Sequence, residues 1–174
     1  METLIGEYHL HPIIDHFTIA LCSAGLLMDL VAYVLETLAR GRNTISGELR
    51  DRLSKAAVLL LIPGALSAIC SRLTGESEAE RVWDSISSAA QQVLLPENGW
   101  RWFFSHAVLG TYLMYALAIV AVWRVLLELW TKSEITRKAY LMLAVAVLCA
   151  VVYQGRTGGE LVYNYGVGVV GLKR

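Results

Sequence analysis

"HLHPIIDHFTIALCSAGLLMDLVAYVLETL", residues 9–38, decides the fold. From Ile14 to Leu38 it is apolar, interrupted in its body only by Asp29 and Glu36. A helix of about 20 mainly apolar residues spans the hydrocarbon core of a bilayer. The run is therefore long enough to cross. Three of the four histidines, His9, His11 and His16, sit where the crossing begins.

Three further segments have the same character: Ala56–Leu73, Trp102–Leu129 and Ala139–Gly155. Hydrocarbon offers no partners to backbone N–H and C=O groups, so such segments are helices. Pro63, next to Gly64, is expected to kink the second. The fold expected is all-α: one integral membrane domain over residues 1–174, a four-helix up-down bundle.

Composition agrees. Of 174 residues 56% are hydrophobic, against about 45–50% in soluble domains. Net charge is zero, so no basic surface invites nucleic acid. The three cysteines, Cys22, Cys70 and Cys149, lie in apolar runs without metal-motif spacing and read as buried apolar residues. Residues 1–16 carry no Lys or Arg, so the first segment is expected to persist in the mature chain.

Orientation follows the basic loops. Arg40, Arg42, Arg50, Arg52, Lys55, Arg124, Lys132, Arg137 and Lys138 fall on one side. Arg72, Arg81, Arg101, Arg156, Lys173 and Arg174 fall on the other, with most of the acids. Nine against six makes the first side cytoplasmic. Both termini then face the periplasmic side of a bacterial inner membrane.

Between the second and third segments, Ser77 and Glu80 form a capping-box pattern. Val82, Ile86, Ala90 and Val93 follow at helical spacing, and a short amphipathic surface helix is expected. Trp100, Trp102, Phe103 and Phe104 then make an interfacial aromatic belt. After the fourth segment, "GRTGGELVYNYGVGVVG", residues 155–171, reads as an extended C-terminal tail over the outer mouth of the bundle. Gly158 and Gly159 there permit close backbone approach or positive φ.

The first and third segments run the same way, which puts His16 and His106 at one depth, with His11 a turn above. Two imidazoles from helices of a bundle suit a b-type haem, with His16 and His106 as axial metal ligands. His11 would stand behind them or replace one. Arg101, Arg156 and Arg72 could meet propionates, Ala20, Ser23, Ala24 and Gly110 are the small residues near the macrocycle, and Gly158 and Gly159 are further candidate cofactor-binding residues in the tail above it. A copper or zinc ion on His9, His11, His16 and His106 is an alternative, because imidazole suits both. A quinone site is another. So is a cofactor-free accessory subunit whose histidine end docks a redox partner. No nucleophile–base constellation or phosphate loop is present, so an electron-transfer or accessory subunit is favoured over a stand-alone enzyme.

Asp29 is costly inside a membrane, and such residues pair or serve function. Arg124 falls at a similar depth on the third segment, so an Asp29–Arg124 ion pair is expected. It would act as a structural clamp or, alternatively, in proton conduction.

"HPIIDHFTIAL…D" at 11–29, "SHAVLGTY" at 105–112 and "GGELVYNYGVGV" at 158–169 together resemble a family of bacterial predicted membrane proteins, domain of unknown function 2231. The resemblance covers nearly the whole chain and implies four transmembrane helices. It marks His11, His16, Asp29, His106, Gly158 and Gly159. Thr18 stands where the family has Pro after His-Phe. The association of relatives with Rieske or cytochrome domains implies electron transfer and redox-complex partners.

Overall fold

The computed structural model describes residues 10–38, 46–97, 99–130 and 133–168. Four long helices dominate: α1 (Leu10–Leu38), α2 (Ser46–Val82), α4 (His106–Leu129) and α5 (Glu134–Tyr163). A short α3 (Ser88–Leu94) and 3₁₀ turns at Trp83–Ser85 and Trp100–Phe104 join α2 to α4. All four long helices have the length and hydropathy to cross a membrane.

The helices close into a ring in which α1 packs on α2, α2 on α4, α4 on α5 and α5 on α1. End-to-end contacts fix their directions. His11, early in α1, meets Ser71, late in α2. Arg72, late in α2, meets Thr111, early in α4. His106 at the start of α4 meets Thr157 near the end of α5. Neighbours in the ring therefore run antiparallel.

The tightest packing joins α1 to α2, where two glycines remove the side chains that would hold the backbones apart. A Cβ on Gly64 would lie 2.6 Å from Cys22 Sγ, and one on Gly25 would lie 2.8 Å from Leu61 Cγ. The central core holds Cys22, Leu26, Leu61, Leu117, Val120 and Val147. Cys22 is buried as expected, but Cys70 and Cys149 face outward, and all three are free thiols.

Three expectations change. α2 extends through Pro63 to Val82, so Ser77 and Glu80 lie inside it rather than opening a new helix. The short helix starts instead at Ser88, where Ser87 Oγ accepts from the Ala90 amide at 3.2 Å. Its apolar residues Ala90 and Leu94 pack on Leu161 of α5, so it closes the end of the bundle. The third change concerns α5. It continues through Gly155, Gly158 and Gly159 to Tyr163, where an extended tail was expected. Burial of Thr157 and Leu161 against neighbours outweighs the weak helix propensity of glycine. The chain turns only beyond Tyr163. Gly166 and Gly168 there have φ of 65° and 75°, and the Val167 amide returns to the Leu161 carbonyl.

Candidate functional site

An α-helix repeats its facing direction after 18 residues, five turns. That spacing organises the polar residues of this bundle. On α1, His11 and Asp29 are 18 apart. On α4, His106 and Arg124 are 18 apart. Each inward-facing helix stripe thus carries one polar residue near either end, about 27 Å apart along the axis. The apolar core lies between.

The layer at Asp29 and Arg124 is a closed network. Arg124 Nε donates to Asp29 Oδ1 and Oδ2, both at 2.9 Å. Tyr140 OH donates to Asp29 Oδ2 at 2.6 Å. Arg124 Nη2 reaches the Ser54 carbonyl at 3.0 Å, and Nη1 reaches Glu128 at 3.0 Å. Asp29 and Arg124 are 6% and 5% exposed, and their polar atoms are paired. Glu36 and Arg137 bridge α1 to α5 one level further in.

The layer at the other end, with His11 and His106, is different, because it borders a cavity of about 330 Å³. Its floor is apolar, with Leu113, Leu117 and Val151. Its polar wall comprises His11, Asp15, Ser71, Arg72, His106 and Gln154. Trp83, Leu94 and Leu95 form the rim. An apolar chamber of this size with a few convergent polar groups has the form of a small-molecule site.

The two wall histidines meet edge to face, with centroids 6.4 Å apart and planes at 80°. Each ring rests on a glycine. A Cβ on Gly75 would lie 2.8 Å from His11 Cε1, and one on Gly158 would lie 3.1 Å from His106 Cε1. Close approach to His106, not positive φ, is what Gly158 supplies. Gly159 meets only Tyr163, at ordinary van der Waals distance.

A carbonyl fixes one tautomer. His11 Nδ1 lies 2.9 Å from the Ser71 carbonyl, which can only accept, so in the neutral ring Nδ1 carries the proton. His106 Nδ1 lies 3.0 Å from Thr157 Oγ1, which also lies 2.9 Å from the Gln154 carbonyl. Among the described residues neither Nε2 atom has a protein hydrogen-bond partner. Gln154 Nε2 donates to the His106 carbonyl at 2.9 Å, while its Oε1 is buried and unpartnered.

Of the residues expected from sequence, His11, His106 and Gly158 come together here. His16 does not. Its ring is exposed and turns back to the Pro12 carbonyl, 2.5 Å from Nδ1, on an outward patch with Ile13, Phe17 and Ala20. The ring that meets His106 is thus that of His11, not His16. The physical reason is helical phase: five residues rotate His16 about 140° from His11. Arg101 and Arg156 are exposed and do not line the cavity, whereas Arg72 does. His9 lies outside the described residues. Among the described residues, no group of three or more His, Cys, Asp or Glu could hold a metal ion. The sequence reading missed Gln154, Thr157, Ser71 and Gly75. The signal for the first two is their 3–4-residue spacing on the buried stripe of α5 with Val147, Val151 and Leu161.

Four long apolar helices joined by buried polar layers define a polytopic helical membrane protein. The chain belongs to the family described as Predicted membrane protein (DUF2231), whose model matches residues 7–171. No curated protein matches the chain, and no solved structure does.

Proposed function

We propose that this membrane protein binds a lipid-soluble small molecule of the quinone class in the outer cavity, as a subunit of a redox assembly. The observation that carries the reading is the combination in one chamber: an apolar floor beside two imidazoles whose Nε2 atoms have no protein partner among the described residues. A ring with a polar head and an apolar body matches both halves. His11 and His106 hold the head. The excess of basic residues in the loops at the other end supports an orientation with the cavity on the outer, periplasmic side of an inner membrane.

The test is equilibrium binding of a short-chain quinone analogue, decyl-ubiquinone in its oxidised and reduced forms, to the purified protein. Saturable binding in either form, weakened about tenfold or more by His106→Ala, is the expected result. Absence of saturable binding in both forms would remove the reading.

A second reading has its own observation. Imidazole ligands of metals hold the proton on one ring nitrogen against a carbonyl or hydroxyl and present the other to the metal. His11 and His106 have that arrangement. A haem b iron or a copper ion would then lie between these two, since His16 faces away. A visible spectrum of protein made with ample haem separates the readings: a Soret band lost in both His11→Ala and His106→Ala favours iron. Metal analysis of the purified protein does the same for copper or zinc.

A further inference from the structure

We infer that the histidine-lined cavity takes its ligand with the apolar end inward, which suits quinone-class molecules with a short side chain and excludes those with a long prenyl tail. The inference rests on the quinone-class reading above and specifies the substrate class by size. Its basis is the order of groups with depth along the chamber.

Down α4 the lining passes from His106 through Gly110 to Leu113 and Leu117, a depth of about 16 Å at about 1.5 Å per residue. Leu117 and Val151 at the bottom are each 3% exposed, and Ala68 of α2 is 5% exposed, so this end is shut. The Thr18 hydroxyl beside them is satisfied, 2.8 Å from Ser67 Oγ and 3.1 Å from the Ile14 carbonyl. The floor therefore calls for no polar group.

In the other direction α2 runs on from Ser71, which meets His11, past Glu76 and Glu80 to Trp83. Among the described lining residues the exposed ones are Glu76, Glu80 and Leu95, on the far side of the histidines from the floor. The mouth is thus flanked by two carboxylates. Between mouth and floor stand His11, His106 and Arg72, whose Nε and Nη1 bond Thr111 and Glu76 and whose Nη2 has no protein partner among the described residues.

Two orientations keep a ring head beside the histidines. Tail outward, the side chain leaves past Glu76 and Glu80 and forfeits burial. Tail inward, it fills the space at Leu113, Leu117 and Val151 while the head keeps its polar partners. The volume of about 330 Å³ lies at the small end of the about 300–1,000 Å³ of ligand pockets. A head and a short chain fill it.

Analogues of one benzoquinone head carrying a methyl, butyl or decyl chain test this by equilibrium binding at one detergent concentration, which holds micelle partition constant between wild type and variants. In the wild type, affinity should rise about threefold per methylene from methyl to butyl and stop rising between butyl and decyl. Ala68→Leu, which fills the floor, should weaken the butyl analogue about tenfold or more and the methyl analogue less than about twofold. Leu117→Ala, which deepens the floor, should raise the affinity of decyl relative to butyl, and serves where Ala68→Leu does not fold. A continued rise through decyl in the wild type, or methyl and longer analogues responding alike to the floor variants, overturns the inference while the quinone-class reading stands. Saturable binding of none of the three overturns both.

Discussion

His11 and His106 approach edge to face at 6.4 Å although they are 95 residues apart in the chain. Each is seated on a glycine of a neighbouring helix, Gly75 of α2 and Gly158 of α5. All four long helices therefore take part in positioning one pair of rings, which is how a bundle turns helix register into a site.

The glycine seats give the first prediction. Gly158→Ala adds a methyl 3.1 Å from His106 Cε1, and Gly75→Ala adds one 2.8 Å from His11. Both should weaken ligand binding by displacing a ring. Gly159→Ala meets nothing closer than 3.8 Å and gains helix propensity. It should leave binding unchanged and raise stability by up to about 1 kcal/mol. Thermal melts in detergent alongside binding isotherms check both halves; a Gly159→Ala defect equal to that of Gly158→Ala would contradict the account.

His16 supplies a negative control. Its ring faces outward with Phe17 and Ala20. His16→Ala should therefore leave ligand affinity, and any Soret band, within about twofold of wild type. His106→Ala should remove the signal. The opposite ranking would restore His16 to the site.

The inner network predicts strong non-additivity. Asp29→Leu leaves the Arg124 guanidinium buried without its carboxylate, a loss of about 3–5 kcal/mol. Arg124→Leu strands Asp29 in the same way. The double variant should lose clearly less than the sum of the two, because no unpaired charge remains. Reversible unfolding of the four proteins in a double-mutant cycle reads this coupling directly, and simple additivity would mean that the pair contributes nothing.

Tyr140→Phe tests the same layer more gently. It deletes the 2.6 Å hydrogen bond to Asp29 Oδ2 and little volume. A loss of about 1–3 kcal/mol is expected, as for hydrogen bonds to charged groups. Ligand binding at the outer cavity, about 27 Å away, should not change.

The α1–α2 contact predicts a steric effect. Gly64→Val must displace Cys22, whose Sγ would lie 2.6 Å from the new Cβ. Overpacking of this kind costs about 1–3 kcal/mol. A lowered melting temperature that Cys22→Ala partly restores would locate the clash.

The four crossings were legible because hydropathy and length act along the chain, residue by residue. The ion pair was legible too: a carboxylate and a guanidinium at matching depth inside a membrane have few other partners. The partner of the His106 ring is His11 rather than the expected His16, though its signal is present in the sequence. A membrane-buried carboxylate faces the bundle interior, so Asp29 marks the inward stripe of α1. His11, 18 residues earlier, shares that stripe, and His16 does not.

The sequence by itself thus determined how many helices form and which stripe of each turns inward, because both follow from the helical period and the cost of polar groups in lipid. Only the tertiary structure decided that α2 and α5 run on past the hydrophobic stretches, and that Gly75, Gly158, Thr157 and Gln154 meet the two histidines. Those contacts depend on the axial offset between helices, which is set by close packing at Gly25 and Gly64 and by the Asp29–Arg124 pair. No local pattern along one helix encodes that offset.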